Sequence, residues 1–394
     1  MSPADDRHGV SATESDETLG LLVEAVRRFA REHLGPAEEE VEESETVPER
    51  LLHGMRELGL YGITTPQAYG GLGLSVYEEV RLVFEIAWAS PVFRACFGTT
   101  NGVGTLGLIR DGTEEQRQRF LPRIARGELV ASFCLTEPDA GSDAAALSTR
   151  AVRDGDSYVI NGTKRYITNA VHAGLFTVFA RTAPKDVGAS GISAFLVERG
   201  TPGLTVTKPY RKMGFRGSHE SDVIFEECRV PAGNLLGGRE GGGFRSAMQS
   251  LDHARIHMAA VATGLAFRMI DEGVRYARER RQFGRPIAQF QLIQGMLADC
   301  QAEAYAARAM VEKAARDKDA GADVTMESAC CKYFATEAAG RIADRVLQIH
   351  GGAGYVKAYP IERLYRDVRL LRIFEGTSQV QQLIIARQLV DRTG

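Results

Sequence analysis

The sequence predicts an α+β protein built in three consecutive zones, α then β then α, because the apolar period changes twice along the chain. From about Glu17 to Gly127 the period is helical. Leu21, Leu22, Ala25, Val26 and Phe29 form one stripe, and Leu51, Leu52, Met55, Leu58 and Leu60 form most of another. From about Leu129 to Glu240, short apolar runs such as LFTVFART, GISAFLVERG and SDVIFEECRVP are separated by turn residues. Asp154-Gly155 and Asn161-Gly162 read there as turns between antiparallel strands. From Gly241 onward long helices return, with Met248, Leu251, Met258, Val261, Leu265 and Met269 on one face. The expected divisions are a disordered tail at 1–16, a helical domain at 17–128, a β domain at 129–240 and a helical bundle at 241–394.

Composition narrows the function classes. A 44% hydrophobic and 25% charged chain of 394 residues can bury a sizeable core. The net charge of −3, with Lys and Arg spread evenly, gives no electrostatic case for nucleic acid or a membrane surface. No apolar run has the length of a membrane span, and the acidic start resembles neither a secretory signal nor a transit peptide. Six cysteines without CxxC or His-partner spacing suit reduced thiols, a cytoplasmic location and no metal. The acidic run Glu38 to Glu45 reads as a solvated helix face, and TPQAYGGLGLS as a turn cluster.

Residues 365–387, YRDVRLLRIFEGTSQVQQLIIAR, are the most informative stretch. They place Glu375 in a Gly-containing break between two helical runs. Ser378-Gln379-Val380-Gln381 fits a capping box that opens the second run, and Val380, Leu383, Ile384 and Arg387 share its expected face. A carboxylate outside the regular helix can point into a cavity as a general base; it can also simply complement a helix dipole. Other segments are ambiguous in the same way. The small-residue loop in ASFCLTEPDAGSD can cradle an anion or a flavin edge, or be a polar turn. Tyr166 and Thr168 share a strand face, either to flank a ring system or to pack a core. Arg255 falls on a buried helix stripe and needs a ligand or an ion-pair partner. Arg280, Arg281 and Arg285 crowd Phe283 at a helix end, where they can hold a phosphate and an adenine or face water.

Taken together, LTEPDAGSD, NGTKRYITNA, KMGFRGS, FEECRVPAGNLLG, ARERRQFGRPIAQFQ, QIHGGAGY and YRDVRLLRIFEGTSQ resemble the acyl-CoA dehydrogenase family over essentially the whole chain after the tail. The resemblance implies an N-terminal helical domain, a central antiparallel β-barrel domain and a C-terminal four-helix bundle. It also implies non-covalent FAD, a homotetramer or dimer, an acyl-CoA substrate and an electron-transfer flavoprotein as acceptor.

Residue by residue, the resemblance makes Glu375 the base that takes the α-proton of an acyl thioester, with a trans-2-enoyl-CoA as product. The alternative position for a base in one branch is occupied here by Ala254, which cannot serve. Phe133, Leu135, Thr136, Gly141, Ser142, Tyr166 and Thr168 would face the flavin, with Tyr166 where many members have Trp. Arg280, Gln282, Phe283 and Gln291 would reach the FAD of a partner subunit. Gln348, Gly351 and Gly352 would contact its adenine side, and Thr377 and Gln379 would lie just beyond the base. Ser142, Asp252 and Arg255 would meet the CoA side. Arg94 falls where glutaryl-CoA dehydrogenase carries an Arg for a distal carboxylate. It marks either a dicarboxylic substrate or an Arg that snorkels to water. A carrier-protein thioester is the remaining alternative.

Overall fold

The computed structural model describes residues 12–391. The first eleven positions of the expected tail lie outside the described residues, while Ala12–Asp16 already belong to helix α1 (Ala12–Phe29). A π turn (Ala30–Leu34) and a 3-10 turn lead to α2 (Glu38–Ser44), followed by α3 (Glu49–Glu57), α4 (Val76–Ile86), α5 (Pro91–Asn101), α6 (Leu106–Asp111) and α7 (Glu114–Ala125). The starts of α4 and α7 are set by capping boxes, Ser75 with Glu78 and Thr113 with Gln116. Gln116 also donates to Gly233 O at 2.9 Å and Leu235 O at 2.7 Å, so one cap ties the helical zone to the β zone.

Two expectations for this zone are corrected. The buried stripe of α1 is Leu19, Val23 and Val26, continued by Ala30 in the π turn, and Leu21 is 69% exposed. Val26 is buried as expected and Leu22 and Phe29 pack partly buried against the core, so only Leu21, about 200° of helix from Leu19 and Val23, falls outside the buried face. The acidic run is not wholly solvated either. Glu38 and Glu42, one turn apart on α2, are buried. Glu38 meets Arg363 at 2.6 Å and Arg268 at 3.3 Å, and Glu42 meets Arg366 at 2.7 Å. These arginines come from the far end of the chain, so no local pattern could reveal them.

The β zone contains β1 (Ala131–Cys134), β2 (Arg150–Asp154), β3 (Ser157–Thr168), β4 (Leu175–Arg181), β5 (Ile192–Glu198), β6 (Leu204–Val206) and β7 (Glu220–Pro231). They form one seven-stranded sheet in the order β1-β4-β2-β3-β7-β6, with β5 paired to β4. Most pairs are antiparallel, but β1 runs parallel to β4, and β2 touches β4 in parallel at Arg150–Arg181. Asp154-Gly155 does turn β2 into β3. Asn161-Gly162 does not turn the chain: it is a bulge within β3, where the register slips between Ile160 and Gly162. Gly162 is required there because a Cβ would lie 2.3 Å from Thr149 Oγ1.

The C-terminal zone begins with the 37-residue helix α8 (Gly243–Glu279). A small hairpin, β8 (Arg281–Gln282) and β9 (Arg285–Pro286), then leads to α9 (Gln291–Asp319), α10 (Thr325–His350), α11 (Ile361–Leu371) and α12 (Ser378–Asp391). Between Ala254 and Ala266 every residue of α8 is buried, so this stretch is enclosed all round, polar Arg255, His257 and Thr263 included, and runs between α4 and the bundle. Gly264 permits the close crossing: a Cβ would meet Phe84 O at 2.6 Å.

Helix α12 departs from expectation. Its cap is Thr377, whose Oγ1 accepts from Val380 N at 3.3 Å, while Ser378 Oγ donates to Glu337 at 2.6 Å. The buried positions are Ser378 and Gln381, and Leu383 is 71% exposed. Polar residues turn inward here because a carboxylate and two turn carbonyls need donors. Among the described residues, no helix is long and apolar enough to cross a membrane.

Candidate active site

Glu375 and Gly376 both adopt left-handed backbone, with φ of 53° and 88°, in the break between α11 and α12. For Glu375 this geometry costs about 1–3 kcal/mol and must be held by its surroundings. Gln381 Nε2 supplies part of the hold, donating to Gly376 O at 3.0 Å and reaching Glu375 O at 3.4 Å. A Cβ at position 376 would lie 2.5 Å from that same nitrogen, so only glycine fits. The residue is half-buried as a whole, yet its Oε2 is shielded and has no hydrogen-bond partner. Burial pushes the Glu375 carboxyl above its ordinary range, against the pull of Arg94, Lys332, Arg255 and His253.

Arg94, Lys332 and Arg255 come from three helices. Arg94, on α5, is 8% exposed, so its guanidinium does not snorkel to water. Its Nε has no partner, and its Nη2 lies 3.4 Å from His257 Nδ1. Gly98, one turn on, leaves room for it: a Cβ there would lie 2.4 Å from Arg94 Cζ. Arg255, on α8, meets Asp252 Oδ1 at 2.5 Å and keeps an unpartnered Nε. The ion-pair reading of Arg255 therefore holds, and its charge also acts on Glu375. Lys332, fully buried on α10, donates to Gly376 O at 2.6 Å. It was not singled out from sequence, although a Lys inside the small apolar run ESACCKYFATEAA was a usable signal.

Behind Arg94, Glu79 of α4 lies 2.7 Å from His257 Nε2 and 2.8 Å from His253 Nε2. Burial opposes ionisation of Glu79, but the two imidazoles hold it at about 2. Burial pushes His257 down to about 4, so its neutral ring gives Glu79 an Nε2–H. These three have the donor set of a metal site. The Arg94 contact, however, makes Nδ1 of His257 the acceptor and keeps the proton on Nε2, and the adjacent guanidinium disfavours a further cation.

The loop after β1 is anchored from below. Glu137 meets Lys164 Nζ at 2.7 Å and accepts from Ser148 N at 2.6 Å and Thr149 N at 3.0 Å. Burial opposes its ionisation, but Lys164 and these donors hold Glu137 at about 2. Above this anchor, Phe133 packs edge-on to Phe179 at 4.9 Å, Leu135 is buried, Thr136 is half-buried, and Gly141 and Ser142 are exposed. Tyr166 sits in a second bulge of β3, at φ 57°, and is 60% exposed. Lys164 and Ile167 are the buried pair flanking that bulge, which leaves Tyr166 and Thr168 on the open face. The Glu137–Lys164 pair has a testable consequence. Glu137 falls below its unfolded value of 4.5, so its stabilisation is complete above that pH and is lost as pH falls toward 2. Glu137→Gln should flatten part of this acid dependence of Tm. Lys164→Met, which strands a buried carboxylate, should cost about 3–5 kcal/mol in denaturant unfolding.

A second cluster lies at the end of α8. A groove of about 1030 Å³ brings together Arg280, Gln282, Phe283, Gln291, Gly351 and Gly352. The β8–β9 turn is formed by Phe283 and Gly284, both at positive φ, and presents the Phe283 ring 92% exposed. Gln348 is exposed on the last turn of α10, outside the groove lining, and Gln379 is exposed on α12. The groove contains none of Thr136, Ser142, Tyr166 or Thr168. Within one chain the predicted residues thus form two separate surfaces.

Family models for the N-terminal, middle and C-terminal domains of acyl-CoA dehydrogenase match residues 16–128, 132–228 and 241–390. The chain belongs to the acyl-CoA dehydrogenase family. It is an oxidoreductase of that family. It is 44% identical to an acryloyl-CoA reductase (NADH) of Anaerotignum propionicum, over 98% of this chain and 97% of that protein. Among solved structures it is similar to butyryl-CoA dehydrogenase of Megasphaera elsdenii, with TM-score 0.91 and 34% identity over 97% of this chain and 99% of that one. It is also similar to a glutaryl-coenzyme A dehydrogenase solved with glutaryl-CoA, with TM-score 0.90 and 33% identity over 97% and 96%.

Proposed function

We propose that this chain is an FAD-dependent acyl-CoA dehydrogenase in which Glu375 removes the α-proton of the thioester, giving a trans-2-enoyl-CoA. The observation that carries this reading is the Glu375 carboxylate: its Oε2 is shielded and without a hydrogen-bond partner, and burial raises its pKa. A thioester α-proton is weakly acidic, so the base must be desolvated yet still ionised at working pH. Burial supplies the first condition, and Arg94, Lys332 and Arg255 favour the second.

The residues present fit a flavin. The open face bearing Tyr166 and Thr168 suits a ring system, and a Cβ at Gly141 would meet nothing within 4 Å, so the loop admits a close ligand. Phe133, Leu135, Thr136, Gly141, Ser142, Tyr166 and Thr168 would hold the ring end. Arg280, Gln282, Phe283 and Gln291 would hold the dinucleotide of a neighbouring copy. Gln348, Gly351 and Gly352 would meet its adenine side, with Thr377 and Gln379 near the base. The two surfaces separate within one chain then meet across subunits, which favours a homotetramer or dimer; exposed Leu383, Leu389 and Val390 on α12 are further apolar surface for such assembly. When bound, the flavin supplies a hydride acceptor opposite the base. Ser142, Asp252 and Arg255 would contact the CoA side, and an electron-transfer flavoprotein would accept the electrons. All six cysteines are free, which supports a cytoplasmic location.

Similarity to an acryloyl-CoA reductase favours a second reading, the same site working in reverse with Glu375 returning the proton. The purified protein should be yellow and release FAD, not FMN, on denaturation. Anaerobic acyl-CoA should bleach it with formation of enoyl-CoA. Failure to bind flavin after refolding with excess FAD would overturn the assignment, and bleaching by NADH but not by acyl-CoA would establish the reverse direction.

A further inference from the structure

We infer that Lys332 is a positioning residue for the base: its buried ammonium locks the left-handed Glu375-Gly376 turn and holds the Glu375 carboxylate in its ionised form. The inference rests on Glu375 being the base. Lys332 projects from α10 to the turn, and its Nζ donates to Gly376 O at 2.6 Å, one peptide beyond Glu375. That carbonyl already accepts from Gln381 Nε2 at 3.0 Å, so the backbone oxygen would not be orphaned without Lys332. A neutral side chain of similar length would satisfy packing without the cost of a buried charge. What the charge adds is a cation beside Glu375.

The electrostatic surroundings agree. Glu375 feels Lys332 from α10, Arg94 from α5, and Arg255 and His253 from α8. Lys332 feels Glu375, the opposing Arg255 and Glu337 of its own helix, and burial pushes it down to about 8, so it is largely charged at neutral pH. Arg94 is in contact with His257, and Arg255 with Asp252. Lys332 is the cation whose hydrogen bond goes to the turn itself.

The test compares Lys332→Met, which removes both charge and donor, with Lys332→Gln, which keeps a donor. The measured quantities are substrate-driven flavin bleaching across pH and the infrared carboxyl band of Glu375, identified by its loss in Glu375→Gln. In Lys332→Met the limiting rate should fall about tenfold or more with little change in KM, because a displaced base slows chemistry more than binding. Removing the cation raises the Glu375 pKa, so the acid limb of the rate and the infrared titration should both move to higher pH. Lys332→Gln should recover part of the limiting rate but keep the shifted limb. In a Glu375→Gln background Lys332→Met should have no further effect. If Glu375→Gln alone bleaches at the wild-type rate, the base assignment fails. If Glu375→Gln is slow while Lys332→Met keeps the wild-type rate and titration, the role of Lys332 fails. It fails equally if both Lys332 variants do not fold, or if they lose only thermal stability.

Discussion

Glu375→Gln is expected to retain flavin and to be reduced by substrate roughly 10²–10⁴-fold more slowly than wild type. The size of the effect follows from how little else the substitution changes. Gln keeps the length and shape of Glu, and Oε2 has no hydrogen bond to lose. The left-handed turn is held through main-chain oxygens by Lys332 and Gln381, not through the carboxylate. Among the described residues no neighbouring base is placed to substitute: Ala254 has no proton acceptor, and His253 lies against Glu79 at 2.8 Å. The pH profile adds a second signature. Because burial raises the Glu375 pKa, the wild-type rate should climb with pH through a limb above the ordinary carboxylate range. That limb should vanish in Glu375→Gln. Bleaching at a normal rate, or an unchanged acid limb, would remove Glu375 from the base role.

The order of α, β and α zones was legible because each rests on local periodicity, which survives in a single sequence. The Glu375 break was legible for the same reason: Gly376 and the following hydroxyls interrupt two helical runs. What failed was finer. Thr377 and Ser378 are both competent caps, and only Glu337, 41 residues away, decides that Ser378 turns inward. Asn161-Gly162 has turn chemistry, yet β7 pairs on both sides of it and absorbs it as a bulge. The buried polar apparatus was invisible because its partners are distant. Glu79 and His257 are 178 residues apart, and Glu38 and Arg363 are 325 apart. A carboxylate in a helical run reads as solvated until its cation is known.

Arg94 is expected to make the protein prefer acyl-CoA esters that end in a carboxylate. Its guanidinium is enclosed beside Phe93 and Phe97, which are fully or almost fully buried, and its Nε is unpartnered. Its polar contact is His257 Nδ1 at 3.4 Å, a long bond to a neutral ring, with Glu79 one residue further back. A buried cation so weakly paired is costly, and a substrate carboxylate would offset that cost through a charge-assisted bond. Arg94 also acts on Glu375, so its removal alters the base as well as the pocket. The two effects separate in a ratio. In kcat/KM, glutaryl-CoA and pentanoyl-CoA share the same base and differ in the tail, so the change in their ratio between wild type and Arg94→Met isolates the tail contact. Losing that contact should cost roughly 2–5 kcal/mol, or about 30- to 5,000-fold in the ratio. The slower turnover of both substrates in Arg94→Met would report the base. Should wild type favour pentanoyl-CoA and the ratio stay constant in the variant, Arg94 would act on Glu375 alone and the substrate would be an ordinary fatty acyl thioester.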